Sequence, residues 1–275
     1  MKITDGDIIL FREKLKEEEK SEHTVEKYIR DVSALKEYSE EVEKETLLKY
    51  KEELKEKYKT SSVNSIISSI NAFTEFMGEY SLKLKSIKTQ KSLFIPEEKE
   101  LTRAEFTRLC RTAKEEKKKR LYMILQTVCA TGIRISELQY ITVEGVKNGY
   151  IQVDCKGKCR EVFIVKELKK KLLEYAEENK IKNGSVFVTK GGKPLNRSNI
   201  WREMKELCKR AKVNPKKVFP HNLRHLFARV YYKMQKDIAK LADILGHSSI
   251  NTTRIYIIST GAEHRKQMER MKLII

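Results

Sequence analysis

What this 275-residue chain lacks narrows its identity before any motif is considered. No apolar run approaches the ~18–20 residues of a membrane span, and the opening M-K-I-T-D-G-D has no apolar stretch like that of a secretory leader. A cytoplasmic protein without membrane contact is expected. The five cysteines, Cys110, Cys129, Cys155, Cys159 and Cys208, form an odd, scattered set without a C-x-x-C pair, which argues against a disulfide framework and for reduced thiols. Cys155 and Cys159 are close in sequence, but no second pair of ligands lies near them, so neither zinc nor any other metal or cofactor is expected. Proline occurs only four times and not before Pro96, so nothing in residues 1–80 interrupts helix formation. Acidic residues are short in one part of the chain only. Residues 1–95 hold 18 Lys and Arg against 19 Asp and Glu, whereas residues 96–275 hold 40 against 20. The net charge of +19 therefore belongs to the second part, and the usual partner of a basic, non-membrane domain is nucleic acid.

That shift in composition, in a chain long enough for two domains of about 100–150 residues, predicts a helical domain over 1–80, a linker over 81–98 and a second domain over 99–275. Four helical stripes fill the first: Ile8, Ile9, Phe11 and Leu15; Val25, Tyr28, Ile29, Val32 and Leu35; Leu47, Leu48, Tyr50, Leu54 and Tyr58; and Val63, Ile66, Ile67, Ile70, Phe73, Phe76 and Met77. The fourth helix carries serines and asparagines and no charge until Glu75. Ser62, Ser65 and Ser69 suit either close approach to a sugar-phosphate backbone or packing on another helix. Residues 79–98 lose the periodicity and are basic and extended, so Lys88 and Lys91 could track a DNA backbone.

The second domain opens with Thr102 and Glu105 as a capping pair. An apolar helix over Lys119 to Ala130 follows, ended by Thr131-Gly132, after which Arg134 stands at the mouth of a new turn. A hairpin with Gly157 at its tip is predicted from Tyr150–Asp154 and Glu161–Val165, and a short strand at Val186–Val188. Further helices are predicted at about 167–179, 196–211, 221–234, 238–245, 249–255 and 259–271. The fold class is mainly α with a small β-hairpin sheet.

Among these elements lie the side chains needed to hold and attack a phosphodiester. Tyrosine has a reference pKa of about 10, so it attacks phosphorus only if cations make the phosphate electrophilic and another group takes the proton. Arg134, Arg224 and His247 are candidates for the clamp, since a guanidinium fork matches two phosphate oxygens. His221 precedes Arg224 by three residues and shares its helix face, where it can relay a proton. A lysine at the hairpin tip, Lys156 or Lys158, can protonate the leaving 5′ oxygen. His225 points off that face and reads as structural, and Tyr231 and Tyr232 read as core.

Three segments in this order, A-T-G-I-R-I-S-E-L (130–138), H-N-L-R-H (221–225) and L-G-H-S-S-I-N-T-T-R-I-Y (245–256), resemble the catalytic boxes of the tyrosine recombinase (phage integrase and Xer-like) family. The similarity spans roughly residues 100–260, and the helical segment before it matches the family's DNA-clamping N-terminal domain by size and helicity alone. The resemblance implies a C-shaped clamp on double-stranded DNA, with Tyr256 as the nucleophile forming a 3′-phosphotyrosyl bond. It implies that Arg134, Arg224 and His247 bind the scissile phosphate, that His221 assists proton transfer and that Glu137, in the same box as Arg134, is supporting rather than chemical. The family's hairpin lysine sits in a pattern like G-K-G-x-K, whereas this chain has C-K-G-K-C-R; alignment on the K-G pair favours Lys156, with Lys158 still open.

The expected activity is site-specific cutting and rejoining of DNA by a homotetramer on two duplexes, for integration, excision or resolution. The rivals are type IB topoisomerase relaxation and non-catalytic DNA binding. The basic segment from Glu263 to Ile275 could dock on a neighbouring subunit or on its own domain. A helical pattern beginning near residue 1 is expected to favour an Xer-like architecture over one with an added arm-binding domain.

Overall fold

In a computed structural model, which describes residues 1–88, 97–155, 158–189, 191–257 and 261–271, the chain is mostly helical with one two-stranded antiparallel sheet. It divides into two units, Met1–Lys91 and Ser92–Ile275. The first unit holds α1 (Asp5–Glu17), α2 (Glu22–Tyr38), α3 (Lys44–Lys57) and α4 (Thr60–Phe76). α1 starts where the Thr4 hydroxyl accepts from the Asp7 N–H while the Asp7 carboxylate accepts from the Thr4 N–H, a reciprocal cap of two otherwise orphaned donors. The apolar stripes of the four helices meet in one core around Phe11, Val32, Leu35, Leu47, Ile67 and Phe73, with Phe11 edge-on to Phe73 at 5.2 Å.

The polar face of α4 has work inside this unit. The Asn71 side chain donates to the Leu84 carbonyl (2.9 Å) and accepts from its N–H (2.8 Å), and Asn64 does the same for Ile87 at 2.9 and 2.8 Å. Two amides thus imitate a strand edge and hold the outgoing chain, while Leu82 and Leu84 join the core. Residues 82–87, expected as linker, are therefore packed on the bundle.

Ser69 requires a correction. It is 0% exposed and so presents nothing to a DNA backbone. Lying three residues after Ile66 and four before Phe73, it falls on the inward side of α4. There its hydroxyl donates to Asp31 (2.9 Å) and accepts from Lys27 (2.7 Å), giving a buried carboxylate its partners. Ser62, Ser65 and Lys88 remain on the surface, and Lys91 lies outside the described residues.

In the second unit α5 (Arg103–Glu115) begins at the Thr102–Glu105 capping box, and α6 (Lys119–Thr131) ends on Gly132. A 3-10 turn over Ile135–Tyr140 leads to α7 (Val143–Asn148). β1 (Tyr150–Cys155) pairs with β2 (Lys158–Phe163) in a register running from Tyr150 opposite Phe163 to Cys155 opposite Lys158. Then come α8 (Lys166–Glu178), α9 (Arg197–Ala211), α10 (Pro220–Gln235), α11 (Ile238–Leu245), α12 (Ile250–Ile257) and α13 (Gly261–Arg270). Residues 186–188, expected as a strand, make one isolated bridge, Val188 with Pro194, beside another between Thr142 and Ser185. Val186 and Phe187 are apolar because they fill the core rather than because they pair in a ladder. Tyr231 and Tyr232 pack, partly buried, beside Ala228, Leu241, Leu245 and Tyr256. Among the described residues no helix is long and apolar enough to cross a membrane.

Candidate active site

Four local devices bring the site together. Gly132 closes α6 in the left-handed conformation (φ +67°), and a Cβ there would lie 2.5 Å from the Phe227 ring, so only glycine lets the chain turn here to put Arg134 at the head of the 3-10 turn. Pro220 opens α10 at a first-turn position where its missing N–H costs nothing, and His221 and Arg224 follow three residues apart. Gly246 ends α11 at φ +64° and hands the chain to His247. α12, packed against α10 and α11, then delivers Tyr256.

Arg224 is the centre, only 1% exposed. Its Nη1 donates to the Gly132 carbonyl (2.6 Å), and Nη2 donates to the Leu245 carbonyl (2.5 Å) and to His247 Nε2 (3.0 Å). Its Nε has no partner among the described residues. Burial and then the neighbouring Arg134 lower its pKa to about 10, which leaves it charged at neutral pH. Because arginine only donates, His247 Nε2 must accept, so Nδ1 carries the proton and donates to Thr253 Oγ1 at 2.9 Å. Burial, Arg224 and Arg134 lower His247 to about 4, in keeping with a neutral ring.

Tyr256 is 4% exposed, and its hydroxyl lies 2.7 Å from His221 Nε2. Burial, Arg224 and Arg134 lower the His221 pKa, so at neutral pH the imidazole is neutral and can accept the phenol proton. The Tyr256 ring lies 5.8 Å from the Arg224 guanidinium and stacks on His225 at 4.1 Å and 17°.

Glu137, 3% exposed, ties the site to the hairpin. It accepts from the Arg134 N–H (2.7 Å) and Nη1 (2.8 Å), and from Arg160 Nη1 (3.1 Å) and Nη2 (2.8 Å). Burial alone would raise its pKa. The hydrogen bonds from Arg160 and from the Arg134 backbone and side chain prevail and hold it at about 2. Gly246 touches the same group, since a Cβ there would come within 2.6 Å of Arg160 Cδ.

The structure thus brings Arg134, Glu137, His221, Arg224, His247 and Tyr256 into one connected cluster. Lys156 lies outside the described residues. Lys158 is described only as the first residue of β2, opposite Cys155.

The model of the phage integrase family matches residues 99–263, and that of the phage integrase N-terminal SAM-like domain matches residues 8–79. The chain belongs to the phage integrase family, the tyrosine recombinases. It is an enzyme that breaks and rejoins DNA strands in site-specific recombination. It is 31% identical over 268 residues to tyrosine recombinase XerA of Thermococcus kodakarensis, covering 94% of this chain and 92% of that protein. Tyrosine recombinase XerH of Campylobacter jejuni is 39% identical over 140 residues, which cover 49% of this chain and 40% of that protein. A lambda integrase tetramer solved on a Holliday junction matches with a TM-score of 0.74 over 93% of this chain and 77% of that one; at 18% identity that likeness is one of fold.

Two members of this recombinase's site escape a reading of the sequence. Arg160 sits in a hairpin whose lysines draw attention, and nothing local ties it to Glu137, 23 residues earlier. Its placement on β2 one residue beyond the C-K-G-K-C run is the only signal. His225, expected to be structural and off the His221 face, is stacked on the nucleophile candidate and 5.0 Å edge-on from His221. Burial, then His221 and Arg229, lower its pKa to about 3, so it too is neutral.

Proposed function

We propose that Tyr256 is the nucleophile of strand cleavage, attacking phosphorus in line with the departing 5′ oxygen to leave a 3′-phosphotyrosyl link. The observation that carries this is the Tyr256 hydroxyl 2.7 Å from a neutral His221 nitrogen, beside a buried arginine with an unpartnered N–H. In the first step the phenol proton passes to His221 Nε2, the Oη–P bond forms and the P–O5′ bond breaks. Arg134 and Arg224 neutralise the phosphate and the added charge of the pentacoordinate state; losing one such donor costs ~2.7–4 kcal/mol of transition-state stabilisation. His247 joins them once its Nε2, which accepts from Arg224 in the free enzyme, takes a proton from solvent and donates it in a hydrogen bond to the arriving anion. Lys156, or Lys158 in its place, gives the 5′ oxygen its proton. Attack by a second 5′ hydroxyl on the phosphotyrosine reverses these steps and rejoins the strand, so bond energy is retained without a nucleotide cofactor.

The helical unit over 1–80 binds DNA and the unit over 99–275 carries the chemistry. The enzyme works in the cytoplasm as a homotetramer on two duplexes, moving or resolving a genetic element; the tetrameric lambda integrase on its junction supports this by fold. Exposed Ser62, Ser65 and Lys88 are the first unit's candidate backbone contacts, together with Lys91.

The test is covalent capture. Duplexes enriched by binding from a randomised pool, resynthesised with a nick beside each candidate position, should yield a detergent-stable protein–DNA adduct. Tyr256→Phe should yield none while binding within about twofold of wild type. Tight, selective binding without any adduct would overturn the proposal.

A further inference from the structure

Next to the phosphate clamp the second unit has a cavity of about 460 Å³, lined among others by Arg134, His221, Arg224, Trp201, Phe219 and Arg197. That is more room than one phosphate group needs. The first three residues account for a phosphate. The other three are not explained by it.

Trp201 is the chain's single tryptophan, yet it is 47% exposed, whereas Ile200, Met204 and Leu207 on the same helix are buried in the core. Its ring is held from within the helix by Lys205, whose Nζ lies 5.3 Å from the ring centroid. Arg197, one turn earlier on α9, makes no hydrogen bond or ion pair among the described residues, so its charge is uncommitted. A cationic clamp, two aromatic surfaces and a second available guanidinium line one cavity, and these are the groups that a stretch of DNA strand, phosphate, nucleoside and phosphate, would need.

We infer that this cavity is a nucleotide subsite. The nucleoside joined to the scissile phosphate packs on Trp201 and Phe219, and the next phosphate along the strand pairs with Arg197. This rests on the proposed function of the same site, because the scissile phosphate must occupy the clamp for its neighbour to reach the aromatic rings. Its consequence is that the cleaved strand is positioned through an apolar contact, and not through phosphate charge alone.

Trp201 is its own reporter. The full-length Tyr256→Phe protein is titrated with the selected duplex, labelled so that anisotropy measures binding independently of tryptophan emission. Emission should be quenched in proportion to bound duplex, and inorganic phosphate at equal ionic strength should leave it unchanged. Trp201→Ala should weaken binding about tenfold and Trp201→Phe should restore most of the loss, as expected for one aromatic contact. Both variants should keep the wild-type unfolding temperature, since the side chain is half exposed. Saturating anisotropy with unchanged emission, or wild-type binding by Trp201→Ala, would overturn the inference. The two readings fail separately: adducts with a silent Trp201 sink the subsite alone, whereas selective binding without any adduct sinks the reading on which it rests.

Discussion

Replacing Glu137 by glutamine asks whether one buried carboxylate holds the site's arginines in place. The side chain is 3% exposed and takes four hydrogen bonds from Arg134 and Arg160, which keep its pKa at about 2 against an ordinary value of about 4.3. A carboxyl with a lower pKa in the folded state stabilises the fold wherever it is ionised. That contribution is complete above the unfolded value and fades as pH falls through the folded one. The shift corresponds to about 3 kcal/mol at neutral pH, of which about 1 kcal/mol is gone by pH 3.5. Glutamine cannot ionise, so Glu137→Gln should be less stable by about 3 kcal/mol at pH 7, with the gap to wild type narrowing by about 1 kcal/mol at pH 3.5. Urea titrations followed by tryptophan emission measure this, because the single tryptophan, Trp201, lies in the second unit and reports on it alone. Other carboxylates titrate alike in both proteins and cancel in the difference. A gap below about 1 kcal/mol at pH 7, the range of an exposed pair, or a gap that does not narrow with acid, would refute the argument.

Arg160→Ala removes the hairpin's hold on Glu137 without touching a phosphate ligand. The rate of adduct formation should fall about a hundredfold with duplex affinity nearly unchanged, and an equal loss in both would place Arg160 on DNA instead. Because burial, Arg224 and Arg134 depress His221, the acid limb of the cleavage rate should lie below pH 6.5, with activity lost as the ring gains a proton on acidification. A limb at or above pH 6.5, or the same limb in His221→Asn, would remove His221 as the base. Ser69→Ala should destabilise the first unit by about 1–3 kcal/mol, read as faster amide exchange in α2 and α4, and leave DNA affinity alone. Weaker DNA binding with unchanged exchange would return Ser69 to the surface.

The helices were legible because each repeats its apolar stripe at helical spacing, and their ends because Thr102 with Glu105, Gly132 and Gly246 are local signals that act within a few residues. What was not legible depends on partners distant in sequence. Val186 and Phe187 look like a strand, but a strand needs a neighbour, and only the flanking Ser185 and Val188 make isolated bridges. Asn64 and Asn71 share the polar face of α4 with the serines. Only the return of residues 84–87 across that face separates them as chain-holding groups from Ser62 and Ser65, which remain exposed. The site shows the same division. Spacing alone places His221 and Arg224 together, whereas the Glu137–Arg160 pair exists only once β2 is laid beside the 3-10 turn.

Packing also alters how the clamp must be probed. Arg224 reads from sequence as a phosphate ligand whose truncation would be a clean test, yet it joins the end of α6 to the end of α11 through the Gly132 and Leu245 carbonyls. Alanine there would strand buried acceptors as well as remove a cation, so a lost activity would not separate chemistry from folding. The charges point to the same conclusion about design. Three guanidiniums, of Arg134, Arg160 and Arg224, gather around one carboxylate, Glu137, and the surrounding histidines remain neutral, His247 at about 4 and His225 at about 3. Protonating any of them in the free enzyme would add a further cation to an uncompensated excess. A phosphodiester brings one negative charge and its pentacoordinate state a second, which gathers on the oxygens facing the arginines while the balancing proton goes to His221 on the tyrosine side. The same arginines that bind the ground state then favour the transition state by more, which is the condition for binding to become catalysis.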